Sequence, residues 1–261
     1  KKAVGESMEI PLAYYRTNLV SLLTVLDIMK EFGVGAMVFS SSATVYGEPE
    51  KLPVNEESPV QKALSSYGST KQMAEDILEK VSATGWLTSM SLRYFNPVGA
   101  HKSSLIGELP KGVPSNLMPY ITQTAIGIRD KLTIFGGDYN TPDGTCVRDY
   151  IHVVDLAKAH VKACNYILSQ SEILSYDVCN IGTGKGNSVL EIIEAFEKVN
   201  KVKIPYHIGV KRKGDVESIY ASCSKAQELL GWSAELTLQD MVRDSWNWEQ
   251  EYRNETIKED I

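Results

Sequence analysis

Two stretches carry residues whose types and spacing could do chemistry: Ser40-Ser41-Ser42-Ala43-Thr44-Val45-Tyr46-Gly47 and Tyr67-Gly68-Ser69-Thr70-Lys71. A Tyr and a Lys four positions apart share a helix face, which would set the Lys71 ammonium beside the Tyr67 phenol. A neighbouring ammonium favours the phenolate and draws a tyrosine pKa from about 10 toward neutrality. A phenol tuned in that way can serve as a general base on a sugar or alcohol hydroxyl. Such chemistry is typical of nicotinamide-dependent redox at a carbinol carbon. The spacing alone also fits a buried Tyr with a snorkelling Lys. Context separates the two readings. Val34-Gly35-Ala36-Met37-Val38-Phe39 reads as a buried parallel strand, and Ser40 to Thr44 fall at its carboxyl end, the edge where open α/β sheets bind ligands.

The elements that must hold these residues alternate along the chain. Helical spacing of apolar residues runs from Pro11 to Phe32, with Pro11 suited to a first turn. A strand at Ala36–Ser41 is followed by a polar loop from Glu48 to Ser66, then by the helix that carries Tyr67 and Lys71 to about Ala83. Thr88–Arg93 is the next strand, and Tyr94-Phe95-Asn96-Pro97 again lies at a carboxyl end. His101 to Pro114 is irregular. Helices are expected at Leu117–Ile128, Val153–Ser169, Ser188–Val199, Ser224–Leu230 and Leu238–Gln250. Strands are expected at Lys131–Phe135, Val147–Ile151, Tyr176–Ile181 and Ile204–Ile208, with a frayed, charged tail from Arg253. Strands alternating with helices argue for the α/β class.

Composition narrows the functional classes. The chain has 261 residues, 43% apolar and 23% charged, enough for one or two domains with a real core. The net charge of −6, and no basic cluster beyond Lys211-Arg212-Lys213, give nucleic-acid binding little support. Apolar stretches fall far short of the ~20 residues a membrane span needs. Cys146, Cys164, Cys179 and Cys223 lack C-x-x-C spacing and read as reduced structural thiols of a cytoplasmic protein. His101, His152, His160 and His207 have no metal spacing and read as structural. Trp232, Trp246 and Trp248 read as core or rim aromatics.

The chemistry-bearing stretches belong to a longer series. Lys2-Ala3-Val4-Gly5-Glu6-Ser7 precedes them; Leu92-Arg93-Tyr94-Phe95-Asn96-Pro97-Val98-Gly99-Ala100-His101 and Asn116-Leu117-Met118-Pro119-Tyr120 follow. Asp143-Gly144-Thr145, Val147-Arg148-Asp149-Tyr150-Ile151-His152-Val153, Asn180-Ile181-Gly182-Thr183-Gly184 and Arg212-Lys213-Gly214-Asp215 complete it. In this order and nearly end to end, the chain resembles the UDP-glucose 4-epimerase family of extended short-chain dehydrogenases/reductases. The resemblance implies a partial Rossmann-like, doubly wound parallel sheet with a smaller α/β C-terminal substrate domain. Residues 1–96 would form an incomplete NAD-binding domain, rejoined by segments near 147–181, and 97–261 would bind mainly the UDP-sugar.

The resemblance also implies roles. Tyr67 would take the sugar 4-hydroxyl proton while the C4 hydride passes to NAD. Lys71 would tune Tyr67 and hold the nicotinamide ribose, and Ser42, supported by Thr44, would bond the 4-oxygen. Lys2 matches a position near the cofactor ribose, and Tyr94 and Phe95 would edge the nicotinamide and sugar. Arg148 and Arg212 would grip the diphosphate, as guanidinium offers bidentate donors. Asp215 would accept from the uridine ribose, Asn96, Asn116 and Leu117 would contact the diphosphate or its sugar, and Thr133, Ile134 and Phe135 would line the uracil slot. Ile219 would border the sugar. Asn18 reads as a structural brace. A homodimer in the cytoplasm is implied, with no metal.

Nothing before Ser40 supplies the strand, glycine-rich turn and helix of a dinucleotide-binding unit. Family members carry it upstream of the segment matching Lys2–Ser7. The chain is therefore expected to begin inside the fold, with two βαβ-type units, roughly 80 residues, absent, and to bind NAD weakly by itself. Gly182-Thr183-Gly184-Lys185-Gly186 mimics a phosphate loop but has Asn187 where the last glycine belongs, and reads as a strand-to-helix turn. Two other activities compete. A sugar-nucleotide 4,6-dehydratase would need an Asp-Glu pair just after the Ser/Thr, where Ala43 and Thr44 stand. A catalytically silent relative acting as a binding module would be separated by a UDP-galactose assay.

Overall fold

A computed structural model describes residues 1–170, 175–212 and 214–259, with only the helical backbone given for 255–259. In chain order the elements are α1 (Val4–Glu9), α2 (Pro11–Glu31), β1 (Ala36–Ser42), α3 (Ser66–Ser82), β2 (Thr88–Tyr94), β3 (Asn96–Val98) and α4 (Leu117–Ala125). There follow β4 (Leu132–Phe135), β5 (Val147–His152), α5 (Val153–Ser169), β6 (Tyr176–Ile181), β7 (Gly186–Ser188) and α6 (Val189–Asn200). The order closes with β8 (Tyr206–Gly209), β9 (Ser218–Ile219), α7 (Ser224–Leu230) and α8 (Leu238–Glu259).

The central sheet has the order β1-β2-β6, all parallel. Helices cover both faces of the sheet, with α5 on one side and α2 and α3 on the other. Side chains alternate along β1. Ala36 and Val38 pack with the α5 cluster of Met90, Leu92, Leu156 and Ala159. Met37 and Phe39 pack with Leu22, Leu26, Ala74 and Leu78 of α2 and α3. The same alternation sorts the three serines. Ser40 turns to α5, where its hydroxyl is 3.1 Å from His160 Nε2, and Ser41 turns to α3, bonding Glu75. Ser42 ends the strand.

A second sheet runs β3-β5-β7, with β9 also on β5; only the β5–β7 pair is antiparallel. The parallel pair β4–β8 stands apart. Helices α4, α6 and α8 close a separate core around Ile121, Ile134, Ile192, Phe196, Val242 and Trp246.

Several boundaries differ from the sequence reading. α4 stops at Ala125 rather than Ile128, since Gly127 turns left-handed at φ +83°. α8 runs on to Glu259 where fraying from Arg253 was expected, and Arg253 bonds Glu249 one turn back at 2.9 Å. The β8 strand starts at Tyr206, after Pro205, rather than at Ile204. Short α1, β3, β7 and β9, and a 3-10 turn at Ala43–Tyr46, had no periodic signal of their own. Cys164 is exposed rather than structural, whereas Cys146 and Cys179 are buried.

Candidate active site

The site grows from the carboxyl end of β1. Ser42 caps the 3-10 turn, accepting from Thr44 N at 3.3 Å and from the Thr44 hydroxyl at 3.0 Å. With its oxygen so held, the Ser42 hydroxyl is left to donate outward, and it is the polar neighbour that acts to lower the Tyr67 phenol. Across the strand end, α3 starts at an N-cap, Ser65, which accepts from Gly68 N at 3.1 Å. Gly68 has no side chain because there is no room: an added Cβ would lie 3.1 Å from the Thr44 carbonyl. This close approach carries Tyr67, one residue earlier, against Ser42. Gln72 then ties the helix to the turn through the Val45 and Gln61 carbonyls at 2.8 and 2.7 Å.

The electrostatics differ from the sequence expectation. Burial pushes the Tyr67 phenol up to about 12, reinforced by Tyr94 and opposed by the Ser42 hydrogen bond. Lys71 does not act on it as foreseen. Its ammonium donates to the Ser40 carbonyl at 2.7 Å and lies over the Phe39 ring at 4.8 Å, with the Tyr67 ring centroid at 5.7 Å. Burial pushes Lys71 down to about 8, against the pull of Glu75. A spacing of four puts two side chains on one face but does not decide which acceptor the longer one reaches.

Beneath lies a buried polar network that no sequence motif displays. Glu75, a further turn along the Tyr67–Lys71 face, receives Arg93 Nε at 3.0 Å and Arg93 Nη2 at 2.6 Å, together with the Ser41 hydroxyl. Arg93 also donates to the Tyr46 hydroxyl at 3.2 Å, which in turn donates to Asn180 Oδ1 at 2.6 Å. The signal was present as Glu75 at i+4 from Lys71.

A second group of predicted residues gathers around β5 and the segment after β8. Arg212 bonds Asp215 at 2.9 Å and stacks over the Phe135 ring at 4.6 Å. Gly214, left-handed at φ +87°, lies so close to the Leu64 carbonyl that a Cβ would be 3.2 Å away, which docks this turn on the approach to α3. Lys213 lies outside the described residues. Arg148 donates to the Val147 and Glu217 carbonyls at 2.8 and 3.3 Å. Its register partner on β9 is Ile219. Thr133 meets His207 Nε2 at 3.3 Å, and Asn96 is exposed at the start of β3.

Other predicted residues stand elsewhere. Lys2 is 71% exposed and bonds Glu108 at 3.0 Å, and the same carboxylate oxygen takes Asn116 Nδ2 at 2.8 Å. Lys2 is thus joined to Asn116 rather than to the Tyr67 group. Ile134 is buried in the α4/α6/α8 core, so its side chain does not line a slot, and Leu117 leans on the same core. Ile219 packs with Phe95, Ala43, Val45 and Tyr46; it is a core residue directly behind the Ser42 turn. Asn18 braces Lys1 and Thr70.

The Gly182–Gly186 turn cannot cradle a phosphate as it stands. The amides of Thr183 and Gly184 already donate to the buried Asp149 carboxylate at 2.8 and 3.0 Å, as does Ala221 N at 3.2 Å. At the Tyr67 group the donor set does fit a nicotinamide ribose: a phenol, and an ammonium with one of three donors committed to Ser40. Among the described residues no three His, Cys, Asp or Glu gather as for a metal, and no helix is long and apolar enough to cross a membrane.

A phenol, a serine hydroxyl and a lysine stand at the carboxyl edge of a parallel α/β sheet, the edge where such sheets bind ligands. The model of the family described as GDP-mannose 4,6 dehydratase matches residues 1–245. UDP-glucose 4-epimerase of Dictyostelium discoideum is 53% identical over 251 residues, 95% of this chain and 72% of the relative. That of Homo sapiens is 50% identical, over 96% of this chain and 71% of the relative. Among solved structures, UDP-glucose 4-epimerase from Bifidobacterium longum in complex with NAD+ and UDP aligns with a TM-score of 0.92 at 49% identity. It covers 97% of this chain and 75% of that one. The enzyme of Stenotrophomonas maltophila with bound NAD and formylated UDP-arabinopyranose gives 0.93 at 47% identity, covering 98% and 75%. The chain belongs to the UDP-glucose 4-epimerase family.

Proposed function

We propose that Tyr67, Ser42 and Lys71 carry an NAD-dependent epimerisation at C4 of a UDP-hexose, interconverting UDP-glucose and UDP-galactose through a 4-keto sugar. The observation that carries this reading is the placement of the Thr44-braced Ser42 hydroxyl at the carboxyl end of β1, where α3 brings Tyr67 and, one turn on, Lys71, whose ammonium reaches the Ser40 carbonyl of the same strand end. NAD, held through its nicotinamide ribose by Tyr67 and Lys71, would supply the hydride acceptor and donor that epimerisation at C4 needs. Tyr67 takes the proton of the 4-hydroxyl and gives it back. Ser42 bonds the 4-oxygen and relays that proton, its own oxygen held by Thr44. Lys71, with two donors uncommitted, holds the nicotinamide ribose hydroxyls and supplies positive charge beside the phenol. That charge, brought closer to the oxygen, is what would draw the phenol down from about 12.

The sugar must turn while its nucleotide stays. Arg148, Arg212, Asp215, Phe135 and Thr133 hold the UDP in this reading, with Asn96, Asn116 and Leu117 at the diphosphate end, and Tyr94 and Phe95 beside the reacting sugar. Residues 1–96 together with β6 form the cofactor half, and most of 97–261 the substrate half. Ala43 and Thr44 stand where an elimination would need an acid pair, which favours epimerisation over dehydration. The test is conversion of UDP-galactose to UDP-glucose with no net NADH formed. Stoichiometric NADH or a dehydrated sugar would refute the epimerase assignment.

The same proposal includes a homodimer. Helix α2 buries Tyr14, Leu22, Leu26 and Met29, yet also exposes Leu12, Val20, Leu23 and Ile28, more apolar surface than a solvated helix carries. Free thiols, two of them buried, support a reducing cytoplasmic setting. Sedimentation of Leu23→Glu beside the parent tests the helical interface.

A further inference from the structure

The polar network under the site has a geometry that stability alone does not require. Tyr67, Lys71 and Glu75 stand at successive turns on one face of α3. Ser41 and Arg93 are register partners on β1 and β2, and both turn toward α3. The Glu75 carboxylate bridges the two strands: it accepts Ser41 from one and a two-pronged Arg93 fork from the other. Ser41 immediately precedes Ser42, and Arg93 immediately precedes Tyr94. One carboxylate therefore registers both strand ends and the helix that together present Ser42, Tyr67 and Lys71.

We propose that Glu75 is a positioning residue for the Tyr67/Lys71/Ser42 site, locking α3 to the paired ends of β1 and β2 through Ser41 and Arg93 and facing Lys71 with a carboxylate from the next turn. Burial disfavours the Lys71 ammonium, and Glu75 is the neighbour that acts in its favour. The other charged or titratable groups around Lys71 are Tyr67 on α3, the amino group of Lys1, and Arg93 behind Glu75; β1 presents only the Phe39 ring and the Ser40 carbonyl. Arg93 is itself held charged, since Glu75 and Tyr46 more than offset its burial. The arrangement keeps a lysine charged in a place where burial works against it, and keeps it aimed.

The proposal rests on the assignment of Tyr67 and Lys71 made above, so its test includes a readout independent of turnover. Trace acetylation of Lys71, followed by mass spectrometry across the range around its pKa of about 8, reports the fraction of free amine. In Glu75→Gln the midpoint should fall by roughly one to three pH units, the usual effect of removing an opposite charge at close range. In the NAD-loaded enzyme kcat should fall by up to about 10²-fold, as for other displaced catalytic groups, with KM for the UDP-sugar held within about twofold. Glu75→Asp, which keeps the charge and shortens the reach, should restore the midpoint but not kcat. If Glu75→Gln fails to fold because Arg93 is left unpaired, the double variant Glu75→Gln/Arg93→Gln removes both buried charges; its Lys71 midpoint should fall by less than in the single variant, since a cation is lost with the anion, while kcat should fall as far. Either readout staying at the parent value in a folded variant overturns the proposal. Retention of turnover by Tyr67→Phe would instead remove the site assignment while leaving the labelling result intact.

Discussion

The two polar regions of the molecule are built in opposite ways. Beneath Tyr67, the Ser41–Glu75–Arg93–Tyr46–Asn180 network is buried and every charge in it is met by a geometric partner. Around β5 and the segment after β8, Arg212 is 51% exposed and holds Asp215 through a single contact. Buried, fully partnered charges resist displacement, because an unpaired one in low dielectric is costly. Exposed pairs are weak and exchange readily. The contrast suits the proposed chemistry: proton and hydride transfer need fixed geometry, whereas in the proposed reading Arg212 would let go of Asp215 to take a diphosphate.

The largest effect should come from the rigid side. Tyr67→Phe removes a general base, worth about 10²- to 10⁴-fold in kcat, and should leave KM for UDP-glucose nearly unchanged. Progress curves with UDP-galactose check this, and near-parent turnover would show that the phenol is not the base.

The same region should reveal a stability cost. Lys71 falls from an ordinary 10.5 to about 8 through burial. Its folded pKa is lowered, so between 8 and 10.5 the unfolded chain binds more protons and stability rises with pH across that window. Below it the full penalty is present, on the order of 3 kcal/mol at about 1.4 kcal/mol per unit. Lys71→Met should therefore melt higher than the parent at neutral pH, lack the rise between pH 8 and 10.5, and lose activity. Denaturant melts at both ends of the window decide it: a variant less stable than the parent at neutral pH would place the cost elsewhere.

What could be read in advance follows the same division. The β1-α3-β2 order was legible because a continuous apolar run marks β1 and strand and helix segments alternate there, and the Ser42, Tyr67 and Lys71 positions came with it. The destination of Lys71 was not, since Ser40 offers a carbonyl that no side-chain pattern displays. Glu75 was invisible as a partner of Arg93 because their pairing depends on how α3 packs against β2, a long-range fact, and Ser41 joins them through the β1–β2 register. The family resemblance placed Ile134 with Thr133 and Phe135 in a slot, but alternation along a strand turns the middle of three residues to the opposite face. Short β3, β7 and β9, of two or three residues each, exist only through what they pair with.

On the exposed side effects should be smaller and fall on binding. Arg212→Ala removes a charge-assisted hydrogen bond to a diphosphate, worth about 1.5–3 kcal/mol, or roughly 10- to 150-fold in the Kd for UDP. Titration calorimetry with UDP measures it, and kcat at saturation should hold within a few-fold. The loss should shrink as salt is raised, because exposed charges are screened. A kcat loss without a Kd change would make the two regions one, and end the comparison.

The smallest effect is expected at Ile219, the residue that joins the two regions. It pairs with Arg148 in register and packs on Phe95, Ala43 and Tyr46 behind the Ser42 turn. At 6% exposure its side chain has little surface to offer a sugar. Ile219→Val should therefore cost about 0.5–1.5 kcal/mol of stability, the usual loss for one buried methylene, and leave the preference between UDP-glucose and its N-acetylated counterpart within about threefold. A methylene that lines a pocket would behave differently, changing the ratio of kcat/KM for the two sugars by about 10- to 200-fold. Thermal melts and both substrates on the one variant separate these outcomes. A tenfold change in ratio with an unchanged melt would move Ile219 out of the core behind Phe95 and onto the wall that the sugar touches.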